Sequence, residues 1–276
     1  MRKLKDLSDI EKSEILNQRK LGATEKQISS KFDISLRQYY NLLKLNKVEK
    51  KNKVVRYNFD ENYFESIDTE DKAYFLGFIV ADGSVNSISN VIQITQREPD
   101  ILYEFKRYIK YEGDLIKSKN RDVFDIKISS SKMKSDLLKL GISSNKTMSV
   151  NYPSIPENLQ SHFMRGVFDG DGCVSIHHDK RDNSDRGQVN ICSGSFEFIK
   201  EYVDNMVRYC GVKKNNIRQP KGTYYVIDWG GLSDVESFYE FLYKDANIFL
   251  KRKKETYDKV MSINQTKNKY RKKCQS

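Results

Sequence analysis

The sequence predicts an α+β chain in which a small all-α unit precedes a duplicated αββαββα unit with a pseudo-twofold axis. Three observations carry this. Residues 8–46 show three short apolar patterns, the second and third introduced by helix-capping residues. An apolar run that ends in a small residue, Asp and Gly occurs twice. The strand and helix patterns that follow the two runs match. A length of 276 residues allows one large domain or two smaller ones with a sizeable core.

The first unit reads as follows. "LSDIEKSEILNQRKLG" is an amphipathic helix with Leu7, Ile10, Ile15, Leu16 and Leu21 as its apolar residues, ended by Gly22. Thr24 caps a short helix through Lys31, "FDI" turns the chain, and Ser35 caps a third helix through about Leu45. Ile28, Phe32, Ile34, Tyr39, Leu42 and Leu43 fill a small core. Short helix, tight turn and second helix is the layout of a helix-turn-helix, although a plain three-helix packing module has the same pattern. In the first case Arg37, Gln38, Tyr40, Asn41 and Lys44 face outward from the third helix and suit base edges and phosphates. The polar, lysine-rich "NKVEKKNKVVRYNFDEN" then reads as a linker. The expected divisions are a helix-turn-helix domain at 1–48, a linker at 49–66, repeats at 67–153 and 154–265, and a basic tail at 266–276. A C-terminal helix is expected to end near Ser262.

The two copies are "AYFLGFIVADGSV" at 73–85 and "HFMRGVFDGDGCV" at 162–174. Their flanks repeat: "NVIQITQREPDILYEFKRYI" matches "GQVNICSGSFEFIKEYVDNM", and "VFDIKISSSKMKSDLLKLGI" matches "YYVIDWGGLSDVESFYEFLY". Each half reads helix–strand–strand–helix–strand–strand–helix, with the two motif helices at the seam. Asp68 and Thr69 are candidate caps for the first motif helix, and Ser154-Ile-Pro-Glu157 resembles a capping box for the second. Gly77/Ala81 and Gly166/Gly170 place small residues four apart on one helix face, which lets two backbones approach closely. Asp82 and Asp171 then sit side by side at the negative ends of two helix dipoles. Neighbouring carboxylates there raise one another's pKa or require a cation. Mg²⁺ takes oxygen ligands and keeps positions for water and phosphate.

The formal net charge is +11, and a chain this basic points to a polyanion, usually nucleic acid. Two carboxylates with a metal on such a protein suggest phosphodiester hydrolysis. Cys173, Cys192, Cys210 and Cys274 form no CxxC pair and only three His are present, so zinc-finger spacing is absent and free thiols in a reducing compartment are expected. No segment reaches the apolar length of a membrane span, and "MRKLKDLSDIEK" turns polar at once, so no secretory signal and no membrane partner are expected. A cytoplasmic or organellar-matrix location, associated with DNA, follows.

"FLGFIVADG" (75–83) and "MRGVFDGDG" (164–172) resemble the motifs of the LAGLIDADG homing endonucleases in their single-chain, two-motif form, over about 67–265. The first copy carries Val80 where the family usually has its first acidic residue. The resemblance implies two saddle-shaped sheets that straddle DNA and a monomer that cleaves both strands of a long double-stranded site across the minor groove, using Mg²⁺ with Mn²⁺ as a substitute. It assigns metal binding to Asp82 and Asp171 and to the carbonyls of Ala81 and Gly170. It suggests Lys146 in "SSNKTMSVNYPSIP" and Lys253 in "FLKRKKE", with Lys251 second, as catalytic lysines that stabilise charge or poise a water. Each of them is equally explicable as a phosphate contact or a solvated charge. Gln96, at the end of "VIQITQ", matches a glutamine that orders water in some relatives; Ser193 is its counterpart.

Strand alternation gives the face towards DNA. Ile92 and Ile94 point inward, so Gln93 and Thr95 point out; Phe124, Ile126 and Ile128 point inward, so Arg121 and Lys127 point out. Asn190, Arg218 and Lys221 are the second-half readers, joined by Ser84, Asn86, Ser175 and His177 from the first strands. Two other functions fit the same residues: a DNA-binding regulator on an inactive endonuclease fold, and a maturase that binds intron RNA.

Overall fold

The computed structural model describes residues 2–21, 23–46, 57–143, 150–180 and 183–273. The chain divides into two compact units, Met1–Arg56 and Tyr57–Ser276. Among the described residues no helix is long and apolar enough to cross a membrane, and Cys173, Cys192 and Cys210 are free thiols.

In the first unit, α1 (Asp9–Lys20), α2 (Glu25–Lys31) and α3 (Leu36–Leu45) each begin with a capping box: Ser8 with Glu11, Thr24 with Gln27, Ser35 with Gln38. Reciprocal side-chain bonds satisfy amide donors that a short helix otherwise leaves unpaired. Leu7, Ile15, Ile28, Phe32, Ile34, Tyr39, Leu42 and Leu43 form the core. Asp33 turns the chain between α2 and α3 with φ 49°. Ile10 and Leu21, expected on the apolar face, are instead 83% and 74% exposed. Ile10 lies about 140° round the helix from the buried Ile15, so the two cannot share a face.

The second unit begins earlier than its composition suggests. Tyr63 and Phe64, assigned to the linker by their polar neighbours, are buried in its core together with Ile67. The first half contains α4 (Glu70–Asp82), β1 (Gly83–Val85), β2 (Val91–Gln96), α5 (Asp100–Tyr108), β3 (Ile116–Lys117), β4 (Phe124–Ser129) and α6 (Ser131–Lys139). Its antiparallel sheet has the order β1-β2-β4-β3. The second half contains α7 (Gln160–Asp171), β5 (Gly172–Asp179), β6 (Ser184–Ser193), α8 (Phe196–Asn205), β7 (Tyr225–Trp229) and α9 (Leu232–Tyr243), followed by α10 (Lys251–Lys273). Its sheet has the order β5-β6-β7. The expected fourth strand is reduced to one bridge, Arg218 to Val226. Pro220 lacks an amide donor and opens a one-turn helix, Pro220–Gly222, so the ladder stops there.

The helix starts differ from the sequence reading. Thr69 is the N-cap of α4 but makes no side-chain cap bond. No capping box forms at Ser154–Glu157. A 3-10 turn, Glu157–Leu159, follows Pro156, and Gln160 Nε2 donates to the Ile155 carbonyl at 2.9 Å. The C-terminal helix runs past Ser262 to Lys273. Its buried Tyr257 and Val260 fix it against the second half, where Val260 fills the space left by Gly187 on β6.

The two motif helices pack backbone to backbone. A Cβ at Gly77 would lie 2.1 Å from the Phe163 carbonyl oxygen, and a Cβ at Gly166 would lie 2.0 Å from that of Tyr74. The same added Cβ would lie 2.9 Å from the Val167 amide nitrogen at Gly77 and 2.9 Å from that of Phe78 at Gly166. Equivalent atoms therefore exchange places across the seam, as a local twofold requires. The sheets keep the same correspondence: Gly83 pairs with Ile94 and Gly172 with Ile191, while Ile126 lies opposite Ile94 and Ile227 opposite Ile191.

Candidate active site

Asp82 and Asp171 are the last residues of α4 and α7, and each is followed by a strand that leaves from a buried glycine. Close packing of the helices carries both ends to one place. Asp82 Oδ2 lies 3.1 Å from the position a Cβ on Gly170 would take, and the Ala81 Cβ lies 2.2 Å from it. Both aspartates are half-buried. Gln96 Nε2 donates to Asp82 Oδ2 at 2.5 Å, which fixes the carboxylate from β2. The strand register makes Gln96 the equivalent of Ser193, and Thr95 that of Cys192. Cys192 Sγ donates to the Asp171 carbonyl at 3.4 Å. The two acids therefore have different neighbours. A cavity of about 140 Å³ opens beside Asp171, lined also by Ala81, Cys192, Ser193 and Tyr224 among others.

These donors suit a hard divalent cation. Two carboxylates and the carbonyls of Ala81 and Gly170 offer only oxygen, at helix ends that attract positive charge. No group of three or more His, Cys, Asp or Glu side chains gathers among the described residues. The remaining coordination positions would fall to water and a substrate phosphate, the arrangement Mg²⁺ favours.

Behind α7 lies a network that strand and helix patterns do not reveal. Lys253, only 4% exposed, donates to the carbonyls of Phe168 (2.6 Å) and Gly172. It thus ties the last turn of α7 to the first residue of β5, in addition to the bond that the Phe168 carbonyl accepts from the Gly172 amide. Burial pushes its ammonium pKa down, against the raising fields of Asp169 and Asp82. Lys251, the second candidate, is exposed and paired with Asp100 at 2.6 Å. Lys146 lies outside the described residues. Asp169 is buried and accepts hydrogen bonds from Tyr74 (2.8 Å), Tyr243 (2.5 Å) and the Leu250 amide (2.8 Å). Burial raises its pKa, while the Lys253 charge and these hydrogen bonds oppose the rise. Its counterpart in the first half is Val80, so this anchor exists on one side only. The sequence signal was the additional acid in "FDGDG". Arg165, 1% exposed, donates to the carbonyls of Ile248 (2.8 Å) and Leu242 (3.0 Å) and to Glu70 (2.9 Å). It ties α7 to the first turn of α4.

The sheet residues take the following places. Gln93 and Thr95 both donate to Asp125 Oδ1, at 3.0 and 2.5 Å. Asp125 is 7% exposed and was not anticipated. Ser84, Lys127 and Arg121 are exposed. Asn86 uses its side-chain oxygen to accept from the Ile88 and Ser89 amides, holding the β1–β2 turn. Ser175 and Asn190 are half-buried and His177 is exposed. Arg218 is exposed and ion-paired with Asp228, which also accepts from Gln188 at 3.2 Å. Gln188 and Asp228 were missed because only strand pairing brings them to Arg218. Lys221 lies in the turn Pro220–Gly222. On α3, Arg37, Asn41 and Lys44 are exposed. Gln38 closes its own capping box and the Tyr40 hydroxyl donates to Glu25, so both expected readers are engaged within the unit.

No family model matches the chain. Over 210 residues, 71% of this chain, it is 22% identical to a probable translation initiation factor IF-2 from Methanocaldococcus jannaschii, and it spans 16% of that protein's length. Its fold is similar to that of the LAGLIDADG homing endonuclease I-LtrWI bound to target DNA (TM-score 0.51, 13% identity, 76% of this chain and 92% of that one). I-GzeII in complex with a DNA target is similar as well (0.51, 17%, 76% and 97%). So is I-SmaMI bound to uncleaved DNA in the presence of calcium ions (0.50, 15%, 71% and 92%). The second unit therefore has the LAGLIDADG endonuclease fold, the α+β duplication expected from the sequence.

Proposed function

We propose that this chain is a site-specific endonuclease of double-stranded DNA, a homing endonuclease of the LAGLIDADG type. In this reading it acts as a monomer, requires Mg²⁺ and hydrolyses both strands across the minor groove. One observation carries the proposal: the Asp82 carboxylate lies against Gly170, the neighbour of Asp171, at the ends of two helices locked together by paired glycines. A single chain therefore supplies both acids. I-LtrWI and I-GzeII, which share the fold, are seen in complexes with DNA, and the net charge of +11 suits the same partner.

Asp82 and Asp171, with the Ala81 and Gly170 carbonyls, would hold Mg²⁺, which supplies Lewis acidity towards the scissile phosphates. Gln96 orients the Asp82 carboxylate from the first sheet. Lys253 braces the turn that places Asp171 by donating to the carbonyls of Phe168 and Gly172. Lys146 is assigned the corresponding support in the first half. The outward residues of the two sheets read the site, and Arg37, Asn41 and Lys44 of the first unit add contacts as a helix-turn-helix would.

The test selects bound duplexes from a randomised pool with the full chain, then incubates them with Mg²⁺. Breaks in both strands at one position are expected, and Asp171→Asn is expected to bind the same duplexes without cutting. Undiminished cutting by that variant would refute the site. Duplex binding by the native chain without any cutting would favour the regulator, and preference for structured RNA would favour the maturase.

A further inference from the structure

We propose that Asp228 is a positioning residue that fixes Arg218 for reading a guanine in the half-site beneath the second sheet; this rests on the endonuclease reading above. Asp228 stands on the solvent-facing side of β7, opposite Asn190. The register equates it with Lys127 of the first half. One half thus presents an ammonium where the other presents a carboxylate. A bare carboxylate facing DNA would be repelled by the phosphates, but both oxygens of Asp228 are engaged. Gln188 Nε2 donates to Oδ1 at 3.2 Å and Arg218 Nη2 to Oδ2. Asn215 donates to the Asp228 carbonyl at 2.7 Å, tying the preceding loop to the same residue.

Arg218 is held at both ends. Its backbone exchanges two 2.8 Å hydrogen bonds with Val226, and its guanidinium is held by Asp228. The side chain nevertheless stays 60% exposed. An ion pair this exposed adds little stability, so holding the fold is a weak reason for it. Arginine has five N–H donors in a planar fork, and Asp228 engages one of its nitrogens. The rest can meet the O6 and N7 acceptors of guanine in the major groove. A side chain already fixed before binding gives up less conformational freedom on contact. Lys127, a point charge on a flexible stem, suits a phosphate instead, so the two half-sites are read unequally.

The experiment is duplex selection from a randomised pool with the full chain, comparing native protein, Asp228→Ala, Asp228→Asn and Arg218→Ala, with thermal melts as the folding control. The native protein should show one position in one half-site where guanine is preferred by about five- to 150-fold. Arg218→Ala should abolish that preference, and both Asp228 variants should reduce it at least fivefold. Preferences at all other positions should stay unchanged. If Asp228→Ala does not fold, Asp228→Asn, which keeps the shape, carries the test. Unaltered guanine preference in the folded Asp228 variants, or in Arg218→Ala, overturns the assignment. A native protein that selects no sequence at all overturns the endonuclease reading itself.

Discussion

A Cβ added at Gly170 would meet the Ala81 Cβ at 2.2 Å and Asp82 Oδ2 at 3.1 Å. The first contact is packing; the second touches a carboxylate proposed to hold the metal. The Ala81 Cβ cannot swing aside, so Gly170→Ala should force the two helix ends apart by about 1 Å and carry Asp82 with them. Misplacement of about 1 Å costs about 100-fold in rate when chemistry depends on position. Single-turnover cleavage by Gly170→Ala should fall on that order while duplex affinity changes little, and an unchanged rate would detach Asp82 from the chemistry. At this scale the sequence was most legible where a residue acts through its own helix. The Asp82 and Asp171 positions and the helix caps at Thr24 and Ser35 depend on neighbours a few residues away. Arg165, Asp125 and Asp228 depend on partners at least ten residues distant, and no local pattern marks them.

Helices α4 and α7 are joined at their starts as well as along their glycine faces. Arg165 reaches Glu70, Leu242 and Ile248, and Asn247 donates to Glu70 through its amide (3.3 Å) and side chain (3.2 Å). Arg165→Met would leave two buried carbonyls without donors and remove one partner of a largely buried ion pair. A loss of about 3–5 kcal/mol is expected, measurable by urea unfolding. Burial alone would raise the pKa of Glu70, yet hydrogen bonds from Asn247 and the charges of His162 and Arg165 hold it below its ordinary 4.5. A carboxylate with a lowered folded pKa stabilises the fold above its unfolded value, and that contribution disappears as pH falls through the folded value. Glu70→Gln should be less stable than the native chain at pH 7, and the gap should close below about pH 4. A gap constant between pH 7 and pH 3 would contradict this linkage. Element boundaries were legible where a cap or the motif set them. They were missed where burial decided, as for Tyr63 and Phe64 within a polar stretch.

The whole molecule separates a small three-helix unit, Met1–Arg56, from the endonuclease-like unit, Tyr57–Ser276, each with its own core. A chain of residues 57–276 should fold and, if the proposal holds, cut the selected duplex. It should bind more weakly and with a shallower dependence on salt, because fewer phosphates are neutralised. Gel-shift titrations at several salt concentrations measure this, and an identical salt slope would remove the first unit from DNA binding. The duplication was readable because two copies of one pattern reinforce each other. The inequality of the halves was only partly readable: Val80 against Asp169 and Gln96 against Ser193 are visible in the sequence, whereas Lys127 against Asp228 needs the register.

The central claim is that two helix ends form one metal site. Anomalous diffraction from the DNA complex crystallised with Mn²⁺ tests it most directly. An anomalous peak is expected within about 2.1 Å of carboxylate oxygens of both Asp82 and Asp171, the spacing of a hard cation from oxygen, and it should vanish in the Asp171→Asn complex. Peaks only elsewhere in the complex, with both aspartates unligated, would contradict it.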